Sequence, residues 1–182
     1  MLYATMFITL DGVVSDPHVW HPRFMSEESM AMLGEHLDAA DGMLLGRRTY
    51  QEFASYWPDQ DAGVPLARRT NEMPKFVVSG TLPAVAWANS SIVGADPLAA
   101  ARQLKKAHER TMVPGGPTLV RSLLAAGALD ELRFYLDPIV VGSGQRLFDG
   151  GLAGVSFERV DHRELPNGVQ YLAYRPAGHK SR

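Results

Sequence analysis

The chain has 182 residues, 46% of them hydrophobic and 21% charged, with a formal net charge of −2. This is ordinary globular composition, sufficient for a real core, and it excludes a disordered or fibrous protein. No long run of one charge sign is present and cysteine is absent, which argues against nucleic acid or an anionic membrane as partner and excludes disulfides, thiolate metal sites and thiol nucleophiles.

The opening segment carries no basic leader, and its apolar run ends at Asp11. That run is too short for a signal peptide or a membrane span, so a soluble, cytoplasmic protein is expected. Tyr3 to Leu10 is nearly all apolar and β-prone, as in a strand buried on both faces. Asp11-Gly12 stops it, and the turn-rich loop VVSDPHVWHPRF follows. Ser26 is placed to cap a helix with Glu27 and Glu28 in its first turn, where carboxylates favour the dipole. Met30, Leu33, Leu37 and Ala40 recur at helical steps and predict its apolar face.

GMLLG (42–46) predicts a short buried strand, and RRTYQEFASYW a helix stopping before Pro58. KFVVS (75–79) and SSIVG (90–94) predict two more strands. Asp96 then caps a helix with Pro97 at its first position, running to about His108. TMVPGG is a strand leading into Gly115 and Gly116, and the helix after it turns Leu119, Val120, Leu123 and Leu124 inward and ends at Gly127. ELRFYLDPIVVG reads as one or two strands, VSFERVDHREL as partly alternating, and Asn167-Gly168 as a tight hairpin turn before VQYLAYRP. Strand and helix alternate for two-thirds of the chain and strands dominate the rest. The expected fold is α/β: a three-layer αβα sandwich around a mainly parallel, twisted sheet with antiparallel C-terminal strands. One domain is expected over 1–176, with a flexible tail at 177–182.

In open α/β sheets ligands bind beyond the carboxyl ends of the strands. Three strand-to-helix junctions have unusual composition there: LLGRRTY with Gly46, Arg47, Arg48 and Thr49; FVVSGT with Ser79, Gly80 and Thr81; and MVPGGPT with Gly115, Gly116 and Thr118. Helix N-termini offer unpaired N–H groups to phosphate. Arginines at a helix start oppose the dipole, by some tenths to about 1 kcal/mol each, unless an anion sits there. The two glycines serve either plain turn chemistry or the close approach of a ligand to the backbone. The coincidence on three crossovers favours the ligand.

The order TLDG…LLGRRTYQEF…FVVSGT…VPGGPTLVRSLLAAGALDELRFYLDPIVVGSGQRLF resembles the dihydrofolate reductase superfamily. Within it, the chain is similar to the branch that contains the reductase domain of the riboflavin pathway and its stand-alone relatives. The likeness spans about Tyr3 to Phe148, and GALDELRFYLDPIVVGSGQRLF is its most branch-specific part. The resemblance implies a dihydrofolate reductase-like fold and NADPH as cofactor. It places Gly46, Arg47, Arg48 and Thr49 at the pyrophosphate and 2′-phosphate, Ser79 and Thr81 beside the adenosine 2′-phosphate, and Gly115, Gly116, Thr118 and Leu119 around the pyrophosphate.

The same resemblance implies hydride transfer to a small carbonyl or imine, most like the reduction of 5-amino-6-(5-phosphoribosylamino)uracil. Other small or pteridine-like substrates stay open, as does a nucleotide-binding module without turnover. Folate-reducing members carry a carboxylate on the first long helix, and here that position falls at or next to Met30. Asp11, Trp20 and Glu27 are therefore the candidate catalytic residues. Asp11 reads equally as a turn aspartate, Trp20 as a core aromatic, and Glu27 serves only if its helix is shifted. Gly142-Ser143-Gly144 is either a turn or a substrate-phosphate loop. His18 and His21 have no third imidazole at ligand spacing, so no metal is expected. The strand-rich tail predicts a homodimer formed through a sheet edge or face.

Overall fold

The computed structural model describes residues 1–150 and 152–177, so all of the expected tail except Ala177 lies outside the described residues. Eight strands form one sheet: β1 (Leu2–Thr9), β2 (Gly42–Gly46), β3 (Lys75–Val78), β4 (Ser90–Ile92), β5 (Thr111–Pro114), β6 (Glu131–Asp137), β7 (Phe157–Glu164) and β8 (Gln170–Pro176). Their order is β4-β3-β2-β5-β1-β6-β8-β7. Every pair from β4 to β6 is parallel, and β8 and β7 close the sheet antiparallel.

β1 is central because its side chains are apolar on both faces. Leu2, Ala4, Met6 and Ile8 pack with α5 (Pro97–Ala107) through Ala100, Ala101 and Leu104, and with α6 (Pro117–Ala125) through Leu119, Val120, Leu123 and Leu124. On the opposite face Tyr3 joins Leu37 of α2 (Glu27–Asp38) and Tyr50 of α3 (Arg47–Ala54). Farther along that face, Met32 of α2 covers Tyr135, Tyr171 and Ala173. This is the expected three-layer arrangement. Truncating one fully buried leucine such as Leu123 would cost about 2–5 kcal/mol.

The caps follow the sequence. Ser26 accepts from the Ser29 amide at the start of α2, and Asp96 from the Leu98 amide at the start of α5. Asn167 and Gly168 both take positive φ in the turn joining β7 to β8. Two details differ from expectation. α2 buries Ser29, Met32 and Leu37, whereas Met30 and Leu33 are only half-buried; the inward stripe is rotated from the expected one and begins with Ser29, whose hydroxyl is paired with that of Ser26. α3 ends at Ala54 and a 3₁₀ turn spans Trp57–Asp59, since Pro58 has no N–H for the Ala54 carbonyl and disfavours helix at Trp57. Two short helices escaped the sequence, α1 (Pro17–Trp20) and α4 (Ala67–Glu72).

Lys75 opens β3 and is 0% exposed. Its ammonium donates to the carbonyls of Thr70 (3.1 Å) and Asn71 (2.7 Å) at the end of α4 and lies 4.1 Å from the Trp87 ring centroid. A cation at a helix C-terminus is electrostatically favoured, and burial lowers its pKa to about 8.

Candidate functional site

β2, β3 and β5 are parallel neighbours, so the three singled-out junctions leave the same edge of the sheet. Gly46 is level with Val78 across β2 and β3, and Ser79 follows directly. β5 pairs with β1 from Leu2↔Thr111 to Thr5↔Pro114 and then stops, while β1 stays paired with β6 as far as Thr9↔Asp137. The Met6–Thr9 half of β1 thus has no strand on its β5 side.

The loop after β5 turns sharply with Gly115 at φ 71° and Gly116 at φ 70°, conformations that side chains other than glycine adopt only with strain. Turn chemistry alone therefore explains the pair, but the surroundings add something. A Cβ on Gly116 would lie 3.2 Å from Thr49 Oγ1, whereas a Cβ on Gly115 would meet nothing within 4 Å. The third junction thus abuts the first, with free space over Gly115. Neither α3 nor α6 has a side chain capping its N-terminus. Arg47 and Arg48 are exposed there, and among the described residues neither has an ion-pair partner. Thr118 is exposed and Leu119 buried; Ser79 Oγ accepts from the amides of Thr81 and Leu82, which orders that loop.

Asp11 ends the β1 turn with its carboxylate saturated by donors. Thr9 Oγ1 donates at 2.6 Å, the Val141 and Gly142 amides at 3.3 and 2.9 Å, and Arg146 Nη2 at 3.4 Å. Led by the Thr9 hydroxyl, these bonds hold its carboxyl below the usual carboxylate range. A group held ionised suits anchoring better than proton donation, and here it ties loop 139–147 to loop 10–15. The same zipper includes Val14 N to Gln145 O (2.9 Å) and Leu147 N to Gly12 O (3.1 Å). Gly142 spends its amide on Asp11, and a Cβ on Gly144 would sit 2.6 Å from Val13 Cγ1. Gly142-Ser143-Gly144 is therefore a turn closed against the first loop.

Trp20 is buried and donates Nε1–H to the Ser15 carbonyl at 3.0 Å. Glu27 is exposed in the first turn of α2, and no described contact brings it to Asp11 or Trp20. The sequence missed a different pair. His21 Nδ1 lies 2.8 Å from Asp137 Oδ2, and both residues are buried at the carboxyl ends of β1 and β6. Phe7 stacks on the imidazole with centroids 3.6 Å apart. The available signal was an aspartate ending a β-prone run just before Pro138; in the sequence its partner stands out only as a candidate metal ligand. Among the described residues no cluster of three metal-ligating side chains occurs and no helix is long and apolar enough to cross a membrane.

The model of the RibD C-terminal domain family matches residues 1–171. The uncharacterized protein YyaP of Bacillus subtilis (strain 168) is 25% identical over 172 residues, covering 92% of this chain and 90% of that protein. A candidate riboflavin biosynthesis protein from Shewanella sp. PV-4 superposes with a TM-score of 0.79 at 19% identity, covering 96% of this chain and 98% of that one. Dihydrofolate reductase from Enterococcus faecalis, solved with NADP(H), superposes with a TM-score of 0.63 at 16% identity, covering 97% and 96%. At these identities the superpositions show a shared dihydrofolate reductase-like fold.

Proposed function

The chain belongs to the RibD C-terminal domain family, and from that premise we propose that it is an NADPH-dependent reductase of a small carbonyl or imine, most like the enzymes that reduce 5-amino-6-(5-phosphoribosylamino)uracil. The observation that carries this reading is the meeting of three junctions at one sheet edge, with two uncapped helix N-termini and two arginines that have no ion-pair partner among the described residues. Those features suit a dinucleotide diphosphate: the uncapped start of α6 follows directly on the open space over Gly115, and arginine forks suit an added 2′-phosphate. In this reading Gly46, Arg47, Arg48 and Thr49 hold one side of the phosphates, Gly115, Gly116, Thr118 and Leu119 the other, and Ser79 and Thr81 the adenosine end.

When bound, the reduced nicotinamide supplies the hydride. The chain's own tasks are to orient the acceptor carbon, exclude water and manage one proton. Asp11 serves by pinning loop 139–147 over the end of β1, and Trp20 by shaping loop 15–21. We also propose a two-fold dimer through the sheet face where Phe134, Phe148, Phe157 and Tyr174 form a chain of ring contacts at 6.3–6.4 Å. Phe148 is 48% exposed there.

A thermal shift of several degrees with NADPH, together with loss of 340 nm absorbance on adding the ribosylaminopyrimidine, is the expected result. No shift with NADPH or NADH would sink the reading. One observation favours a second reading, a nucleotide-binding module without turnover: α2 turns Ser29 and Met32 inward rather than a carboxylate. It predicts a shift without oxidation of NADPH by any acceptor.

A further inference from the structure

Buried polar atoms are normally paired, and those that are not mark strain or the place of a ligand. Among the described residues, three of the unpaired ones gather on one side of the sheet near the functional edge: Thr5 Oγ1, His21 Nε2 and Asp137 Oδ1. Thr5 and Asp137 stand on the α2 face of β1 and β6, and His21 lies against that face beside Phe7. His21 is 4% exposed and Asp137 0%. The pair thus stands under heavy desolvation, with Trp20 edge-on to the imidazole at 6.3 Å.

The two protonation states of such a pair differ sharply. With both ring nitrogens protonated the pair is net neutral, Nδ1–H stays bonded to Asp137, and Nε2–H is a donor with no acceptor among the described residues. Phe7, stacked on the ring face, is the one residue of β1 that is only half-buried, so one partly exposed side chain covers that face of the imidazole, while Nε2 itself is closed off from solvent. The other acids near the edge do not compete. Asp11 is saturated and held ionised, and Glu27 points to solvent.

We infer that His21 is the proton donor of the reduction and that Asp137 is its positioning residue, an assignment that rests on the reductase reading above. The step balances. Hydride from the reduced nicotinamide adds to the carbon of a C=N or C=O group, and the π pair moves onto nitrogen or oxygen. That atom takes the proton from His21 Nε2, leaving a neutral imidazole beside ionised Asp137 and an oxidised nicotinamide. Solvent then returns one proton to His21. The carboxylate that folate-reducing relatives place on a helix is here supplied from β6, through an imidazole carried by the first loop.

The test uses the full chain with NADPH and a panel of acceptors: the ribosylaminopyrimidine, dihydrofolate and a small aldehyde. His21→Gln should lower kcat by about 100-fold or more and abolish the solvent isotope effect, with NADPH affinity unchanged within about two-fold. Asp137→Asn should lower kcat and move the pH profile of kcat to lower pH, because the neutral amide no longer stabilises the imidazolium. A His21→Gln protein with the wild-type pH profile and isotope effect overturns the assignment. So does a wild-type rate that is flat between about pH 5.5 and 9, a measurement that needs no variant to fold. A cofactor-free readout comes from the double variant His21→Phe/Asp137→Leu. It should melt no lower than wild type if the pair serves chemistry, and a fall of several degrees would mark the pair as structural and overturn the assignment. Wild-type protein inactive on every acceptor would instead remove the reductase reading, and the proton role with it.

Discussion

Arg47 shows what single residues contribute. It stands exposed at the start of α3, with no ion-pair partner among the described residues, where its charge opposes the helix dipole. Arg47→Ala should therefore leave stability within about 0.5 kcal/mol of wild type but weaken NADPH roughly 10- to 100-fold more than NADH, measured by fluorescence titration; equal losses would refute its role. His36 is the opposite case, a buried base. Burial, reinforced by the nearby Arg133 and Arg163, lowers its pKa to about 4. Burial also keeps the Tyr135 phenol protonated, so that hydroxyl donates to His36 Nδ1 at 3.1 Å. The unfolded chain protonates His36 near pH 6.5, so it binds more protons than the folded chain between about pH 6.5 and 4. Stability should fall by roughly 1–3 kcal/mol as pH drops through that window and stay level above it. In His36→Gln this dependence should shrink, as urea melts of both proteins at pH 7.5 and 4.5 would reveal. The meeting of the three junctions at one sheet edge was legible because arginines and glycines at strand ends break local rules. His21 and Asp137 were not, because 116 residues separate them and neither breaks a local rule alone.

At the level of elements, strands and caps were readable wherever one local preference dominated: the apolar β1, Ser26 and Asp96 as caps, Asn167-Gly168 as a turn. α1 and α4 were not, being four and six residues long and too short for a periodic stripe to show. The stripe of α2 was misplaced because its apolar spacing fits more than one rotation, and the inward face begins with a polar residue, Ser29. The zipper between loops 10–15 and 139–147 was also invisible, since the Asp11 carboxylate and the backbone groups that form it lie some 130 residues apart in sequence. Gly144 measures how tight it is. Its φ of 131° and the 2.6 Å distance to Val13 Cγ1 leave no room for a methyl group. Gly144→Ala should cost about 1–3 kcal/mol in denaturant unfolding; an unchanged midpoint would show the two loops to be loosely joined.

For the whole molecule, the sheet is covered unevenly. Helices lie on both faces from β3 to β1, yet at the C-terminal end the face with Phe134, Phe148, Phe157 and Tyr174 is covered only in part. The edge itself is an unpromising partner. Seven of the eight residues of β7 are exposed and it carries Glu158, Arg159, Asp161, Arg163 and Glu164, charges that discourage strand addition. The face is therefore the better dimer surface. Phe148→Asp should weaken association by roughly 2–3 kcal/mol and shift the solution mass toward a monomer in sedimentation equilibrium, with NADPH still bound; a wild-type protein that is monomeric at all concentrations would contradict the dimer.

The sealed lysine at the start of β3 has a practical corollary. Its amine is roofed by an indole and two carbonyls, out of reach of acylating reagents while the fold stays shut. The speed at which such a reagent marks Lys75, against the surface amines, would clock how often the margin of the sheet opposite the three junctions breathes open.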